Sequence, residues 1–331
     1  MDDKMKEVID QYEVEIKNVY RARGAYMLET TDGLKMVREF RSSKERAEQA
    51  QTVKEALRDK GFVHTDLYVR NKNGDIITEN AMGNRYAMKN WFVGEECNLK
   101  ELDKVEKAAE NLAVLHKKME GILPEPLEMQ GDTFSVVIEK HNRELRRVRS
   151  YIREKKQRNE FELLFLSLFS EFYSEAEEAE SLLKEVSEEE LYQGMKEQQT
   201  LCHGSYNYHN VLFTKNGIAT TNFEKVQLQL QVMDLYDFIR KVMEKNNWSE
   251  EFFYGIMENY EKVKTLTKEE RKLISLWMSY PEKFWKVTNY YYNSKKTWIS
   301  AKNIEKLQSL QQQKKQRRAL LRKIFKNLIM T

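Results

Sequence analysis

Near Gly94 the apolar residues change their spacing, and that change limits the folds open to this chain. Before it they alternate in short runs: Tyr12 to Tyr20, Ala25 to Thr30 and Leu34 to Phe40, with Thr31-Asp32-Gly33 as the turn between the last two. Alternation of period two sets one face of a strand against a core. Ser42 or Ser43 stands where a side-chain oxygen caps a helix, which runs through Ala47, Ala50, Val53 and Leu57 to a stop at Gly61. Val63 to Val69, Asp75 to Thr78 and Tyr86 to Phe92 read as further strands, with Asn71-Lys72-Asn73-Gly74 as a turn. Beyond Gly94, Leu102, Val105, Ala108, Ala109, Leu112 and Leu115 keep the 3–4 spacing of a helix face. Long helices are predicted at about 134–158 and 159–186, and again from Asp234 to the end. The predicted organisation is a small lobe over 1–93 and a helical lobe over 94–331, interrupted by short strands at 201–224.

Composition narrows the function classes. The formal net charge of +3 provides no global attraction to nucleic acid. A hydrophobic content of 40% with 11% aromatics excludes a disordered chain. No run of 18 apolar residues occurs, so no membrane-spanning helix is predicted. The charged start Met1-Asp2-Asp3-Lys4-Met5-Lys6-Glu7 lacks the apolar stretch of a signal peptide. Two cysteines, Cys97 and Cys202, do not make a disulfide framework, and Cys202 falls at the edge of a loop motif, so neither is read as a nucleophile.

The strand-rich interruption carries the chemistry. Leu201-Cys202-His203-Gly204-Ser205-Tyr206-Asn207-Tyr208-His209-Asn210 is followed by Asn222-Phe223-Glu224. Phosphoryl transfer needs a carboxylate to orient the acceptor hydroxyl, an Asn on magnesium and a second acidic group on magnesium. The spacing H-G-x-x-x-x-x-N, then N-F-E, resembles the H-G-D-x-x-x-x-N and I-D-F-D pair of the aminoglycoside-phosphotransferase kinases. Tyr280-Pro281-Glu282-Lys283-Phe284-Trp285-Lys286, Asn289-Tyr290-Tyr291-Tyr292-Asn293 and Lys295-Lys296-Thr297-Trp298 narrow the match. Together with Met88 to Glu95 and Asp234 to Arg240, they resemble the CotS family of bacterial spore-coat proteins, which shares that fold.

The resemblance implies an α+β, two-lobed, protein-kinase-like fold: a small β-sheet lobe with one main helix and a large helical lobe. It also implies a protein made in the mother-cell cytoplasm and deposited on the spore coat, with other coat proteins as partners. Ser205 falls where the family has its acceptor-orienting Asp, and Asn222 where it has its main metal Asp. Asn210 matches the metal-binding Asn, and Glu224 supplies a further carboxylate, since i and i+2 share a strand face. His203 precedes Gly204 in the same loop, with a hydrogen-bonding role expected. Arg38 falls at the phosphate-holding Lys position, with Lys35 as the alternative register, and Glu45 or Glu48 as its helix partner. Asn90 and Trp91 lie in the hinge-like segment implied to contact nucleotide. The implied cofactors are ATP and magnesium, on a site lacking two of its usual carboxylates. Arg21-Ala22-Arg23-Gly24 has a single glycine where a phosphate cradle wants several, so Arg21 and Arg23 are alternative anion contacts. His209 has no metal-ligand partner at a recognised spacing.

Two readings follow. In the first the chain is a pseudokinase or scaffold of coat assembly. In the second it is an active phosphotransferase of the aminoglycoside or choline kinase type, using Asn210 and Glu224 for metal. A chain that binds ATP without transferring it lies between them. If binding is the function, the aromatic segment 280–298 and the basic amphipathic tail 314–329 are the candidate surfaces, with Tyr291, Tyr292 and Trp298 as exposed anchors. Docking of the tail on its own lobe is the default, and the basic helix 138–157 reads as a solvated face.

Overall fold

The computed structural model describes residues 3–22, 24–124, 132–293 and 301–329. In chain order the elements are α1 (Asp3–Ile9), β1 (Ile16–Ala22), β2 (Ala25–Thr30), β3 (Gly33–Glu39), α2 (Lys44–Asp59), β4 (Tyr68–Val69), β5 (Ile77–Glu79), β6 (Arg85–Asn90), β7 (Gly94–Glu96) and α3 (Leu102–Met119). Then come α4 (Phe134–Glu154), α5 (Glu160–Leu183), α6 (Glu188–Gln198), β8 (Leu201–Cys202), β9 (Val211–Thr214), β10 (Gly217–Thr220) and β11 (Gln227–Leu228). The helices α7 (Val232–Lys245), α8 (Glu250–Glu261), α9 (Lys268–Ser279), α10 (Glu282–Asn293) and α11 (Ala301–Ile329) complete the chain.

This is the expected α+β order, an N-terminal antiparallel sheet followed by a mostly helical part. The run read as a strand from Tyr12 starts only at Ile16, after the short helix α1. Of Val63 to Val69, only Tyr68–Val69 pairs in the sheet. The helix α6 was not foreseen; its sequence is mostly polar and carries little periodicity.

Two compact units form, each discontinuous in sequence: Met1–Met129, Met195–Phe238 and Ile256–Lys264, and Gln130–Gly194, Ile239–Gly255 and Thr265–Thr331. The change of period at Gly94 therefore lies inside the first unit, which also holds α3 and the 201–224 loop.

In the first unit the sheet order is β1-β2-β3-β6-β4, with β5 also on β6. Alternation divides its side chains. Leu28, Val37 and Met88 are buried against Met5, Val8, Ile9 and Tyr12 of the N-terminal segment. Ala25, Met27 and Met36 form the opposite face, packed by Trp91. Met36 pairs with Lys89 and Arg38 with Ala87 across β3 and β6, which puts Arg38 and Lys89 on this second face. Ser43 caps α2 by accepting from the Arg46 amide, as the sequence indicated. Where β7 meets β9, a Cβ on Gly94 would lie 2.5 Å from the Phe213 carbonyl oxygen, so only glycine fits.

The second unit is helical. Phe161, Phe165, Leu168, Phe169 and Phe172 of α5 pack with Phe284, Val287 and Leu307. The start of α5 is fixed by a capping box between Asn159 and Glu162. The tail docks within its own unit: Leu320, Leu321 and Ile324 are buried, and Lys314 reaches Glu171 at 2.6 Å. Arg317 is buried, pairs with Glu175 and donates to the Met278 carbonyl at 3.1 Å.

The exposed-anchor expectation needs correcting. Tyr291 is half-buried, stacked on Phe161 with centroids 3.8 Å apart, and its hydroxyl accepts from Asn159 at 2.8 Å. Tyr292 donates to Glu162 at 3.2 Å. Both complete the apolar wall of α5, which outcompetes solvent for an aromatic ring. Tyr290 is the exposed member, at 51%. Trp298 and Arg23 lie outside the described residues.

Candidate functional site

A cleft of about 770 Å³ opens in the first unit. Its lining combines apolar residues, Ala22, Ala25, Met27, Met36, Trp91, Phe92 and Leu212, with polar ones, Arg38, Glu95, Glu96, His209, Asn210 and Asn222. The β1–β2 strands pair up to Ala22 and Ala25. Only two residues join them, so the chain has no long glycine-rich loop for phosphates there. Arg21 stacks on Tyr26 at 4.7 Å and also hydrogen-bonds its hydroxyl.

The H-G loop is held by its backbone. The Asp234 carboxylate, in the first turn of α7, accepts from the His203 amide at 2.5 Å and the Gly204 amide at 2.9 Å. Gly204 has φ +71°, and a Cβ there would come within 2.1 Å of the Lys225 carbonyl oxygen. His203 is fully buried; its Nε2 donates to the Thr221 carbonyl at 3.1 Å and its Nδ1 accepts from the Ser205 amide at 3.2 Å. Accepting at Nδ1 requires the neutral ring, and burial pushes its pKa down, against the pull of Asp234. His203 is thereby placed as a brace of the loop, with both ring nitrogens on backbone groups. From α3, Asn111 donates to Tyr206 and Thr220, both at 3.0 Å, and anchors the loop from behind.

The residues expected at a metal are brought together, with Asn210 Oδ1, Asn222 Oδ1 and Glu224 Oε1 each already accepting a hydrogen bond. Asn222 Nδ2 donates to Asn210 Oδ1 at 2.7 Å, and Asn210 Nδ2 donates to the Ser205 carbonyl at 2.8 Å. Asn222 Oδ1 accepts from Lys89 Nζ at 3.2 Å. Its backbone is left-handed, φ +65°, a conformation Asn tolerates better than most residues. Glu224 Oε1 accepts from Lys89 and, at 3.1 Å, from the Tyr68 hydroxyl, with Arg38 at 3.8 Å. In this arrangement the donor set does not fit a divalent ion, which needs free oxygen ligands. Among the described residues there is no group of three His, Cys, Asp or Glu able to hold one.

Beneath these lies a buried charge network. Asp66 is fully buried; its Oδ2 accepts from Lys89 Nζ at 2.9 Å and from the Asn222 amide at 2.9 Å. Its other oxygen faces Lys54 Nζ at 3.6 Å, and that ammonium donates to the Asp66 carbonyl at 2.5 Å and lies 3.7 Å from the Tyr68 ring centre. Burial lowers the Lys54 pKa to about 8, with Asp66 opposing the shift. Burial also works against ionisation of Glu224, but Lys89 and then Arg38 outweigh it and hold its carboxyl at about 2.

Three expectations change here. Glu48 forms a bidentate pair with Arg70, at 2.9 and 2.8 Å, and Arg38 faces Glu224 instead. Lys35 lies on the other sheet face from Arg38, three residues away, and donates to Asn90 Oδ1 at 2.7 Å. That turns Asn90 from the cleft, while Trp91 lines it. Asp66, Lys89 and Lys54 were not foreseen. Their signal was present: Lys54 continues the Ala47–Ala50–Leu57 helix face, and Lys89 falls on the same alternation as Ala87 and Trp91. The thiol of Cys97 is pushed up to about 12 by burial, which removes it as a nucleophile at neutral pH.

This fold is shared with phosphotransferases. An aminoglycoside phosphotransferase from Alicyclobacillus acidocaldarius subsp. acidocaldarius DSM 446 superposes with a TM-score of 0.88 at 16% identity, covering 98% of this chain and 96% of that one. The spectinomycin phosphotransferase APH(9)-Ia, in complex with ADP and spectinomycin, gives 0.65 at 12% identity, covering 91% and 90%. A microcompartment-associated aminopropanol kinase gives 0.62 at 11%, covering 99% and 98%. No curated protein matches in sequence. The chain thus has the kinase-like fold of the aminoglycoside phosphotransferases. Within that class the model of one family, described as spore coat putative kinase YutH, matches residues 5–324, and the chain belongs to that family. The resemblance to CotS-type spore-coat proteins is borne out.

Proposed function

We propose that this is a spore-coat pseudokinase: a kinase-like protein that works in coat assembly by binding other coat components and transfers no phosphate. The observation that carries this reading is the Asn222–Asn210 hydrogen bond of 2.7 Å, which joins two of the three expected metal ligands to each other. Ser205 adds to it, since a neutral hydroxyl orients an acceptor far less well than a carboxylate, a contribution of about 10²–10⁴-fold in rate. On this reading Arg38 and Trp91 are the ligand contacts left in the cleft, and the protein passes from the mother-cell cytoplasm to the coat.

A second reading, an active phosphotransferase using Asn210 and Glu224 for metal, draws support from the open cleft of about 770 Å³. Such a site would hold ATP between Trp91 and Met36 with its phosphates toward Arg38. Radiolabelled ATP turnover separates the two. No magnesium-dependent hydrolysis or transfer is expected from the purified chain, and turnover abolished by Asn210→Ala would establish the active kinase instead. Ser205→Asp with Asn222→Asp is expected to restore little while Lys89 still holds Glu224.

A further inference from the structure

We propose that the Lys89 ammonium is a tethered cation that takes the divalent ion's place beside Asn222 and Glu224, so that this cleft takes its ligand without metal. This rests on the reading of the cleft as non-transferring and says how the metal was dispensed with.

Three oxygens converge on Lys89 Nζ from two parts of the chain, the segment at Asp66 and the turn at 222–224. They are Asp66 Oδ2 at 2.9 Å, Asn222 Oδ1 at 3.2 Å and Glu224 Oε1. Carboxylate and amide oxygens are what a hard cation takes, and an ammonium has three protons to give. The match leaves Lys89 saturated. Its position follows from the sheet: Lys89 pairs with Met36 in the interior of the sheet, and its side chain is 1% exposed.

Charge balance supports the same conclusion. Inside the network two ammoniums, Lys54 and Lys89, face two carboxylates, Asp66 and Glu224, and Arg38 adds a third positive charge at the rim. The corner is neutral or positive before any metal arrives. A divalent ion would bring a buried excess of positive charge, which a low-dielectric site penalises strongly.

The test uses the full-length chain and Mn²⁺ alone, with the free ion counted by electron paramagnetic resonance. Wild type and Lys89→Arg are expected to bind no Mn²⁺ at this corner. Lys89→Met vacates the three oxygens and is expected to gain one site, about tenfold or more tighter than any residual wild-type binding, and lost again in Lys89→Met/Glu224→Gln. A Lys89→Met chain that folds only once Mn²⁺ is added supports the proposal equally. One Mn²⁺ bound by the wild type and lost in Glu224→Gln overturns it, and so does a folded Lys89→Met with no gain. The wild-type arm decides the matter even where the variant stays unfolded. ATP turnover by the wild type in excess chelator would end the non-transferring reading yet leave the tethered cation standing. Mn²⁺ at this corner in a wild type that turns over no ATP would do the reverse.

Discussion

Glu224 is held inside the protein by opposite charge. Two cations and a tyrosine hydroxyl converge on it inside the protein. Such a cluster is weak evidence for net stability, yet removing one partner strands the others. Glu224→Gln should therefore destabilise the fold by on the order of 3 kcal/mol, read as a lower urea midpoint with an unchanged slope. The same pair gives a pH signature. Its folded carboxyl sits at about 2 against an ordinary 4.5, so the unfolded chain takes up the proton first as pH falls. This stabilisation is complete above pH 4.5 and lost as the pH falls through about 2. Unfolding free energy measured against pH should drop in that window for the wild type, and the Glu224→Gln curve should lack that component.

At the scale of elements, α10 and α11 are structural before they are anything else. Tyr291 stacks on Phe161 while Tyr290 is exposed. Tyr291→Ala should cost about 1.5–3 kcal/mol of stability, whereas Tyr290→Ala should stay within about 0.5 kcal/mol. Equal effects in a thermal melt would contradict this packing. Tyr290, not Tyr291, is then the side chain to test for coat attachment. Arg317 ties α11 to Glu175 and to the carbonyls of Met278 and Ser279. Arg317→Ala should release the protection of residues 301–325 in hydrogen exchange while leaving the first-unit sheet protected. Loss of protection throughout would assign Arg317 a global role.

For the whole molecule, ligand linkage is the informative measurement. Whatever binds only the native state raises the melting temperature by mass action. If Lys89 holds the cation position, ATP with magnesium should raise the melting temperature no more than ATP with a chelator. A large rise confined to the magnesium sample would favour the active-kinase reading. Gly204→Ala should lower the melting temperature in either case, since its Cβ would strike the Lys225 carbonyl and its φ is positive.

Local spacing was enough for most of the order of elements, with α1 and α6 missed. Period two before Gly94 and period 3.6 after it are backbone geometry, and the Ser43 cap and the Asn159 start of α5 are equally local. The H-G loop and the N-F-E triplet were also legible, because a loop that must pass Gly204 within contact of Lys225 tolerates few sequences. What the sequence could not supply was partnership. Glu48 and Arg38 have the right types for a pair, but strand and helix placement gave Glu48 to Arg70 and Arg38 to Glu224. Asp66, Lys89 and Asn222 are far apart in sequence and meet only once β6, the Thr65–Leu67 segment and the 201–224 loop have packed. A buried charge is defined by what surrounds it, and only the tertiary structure decides that.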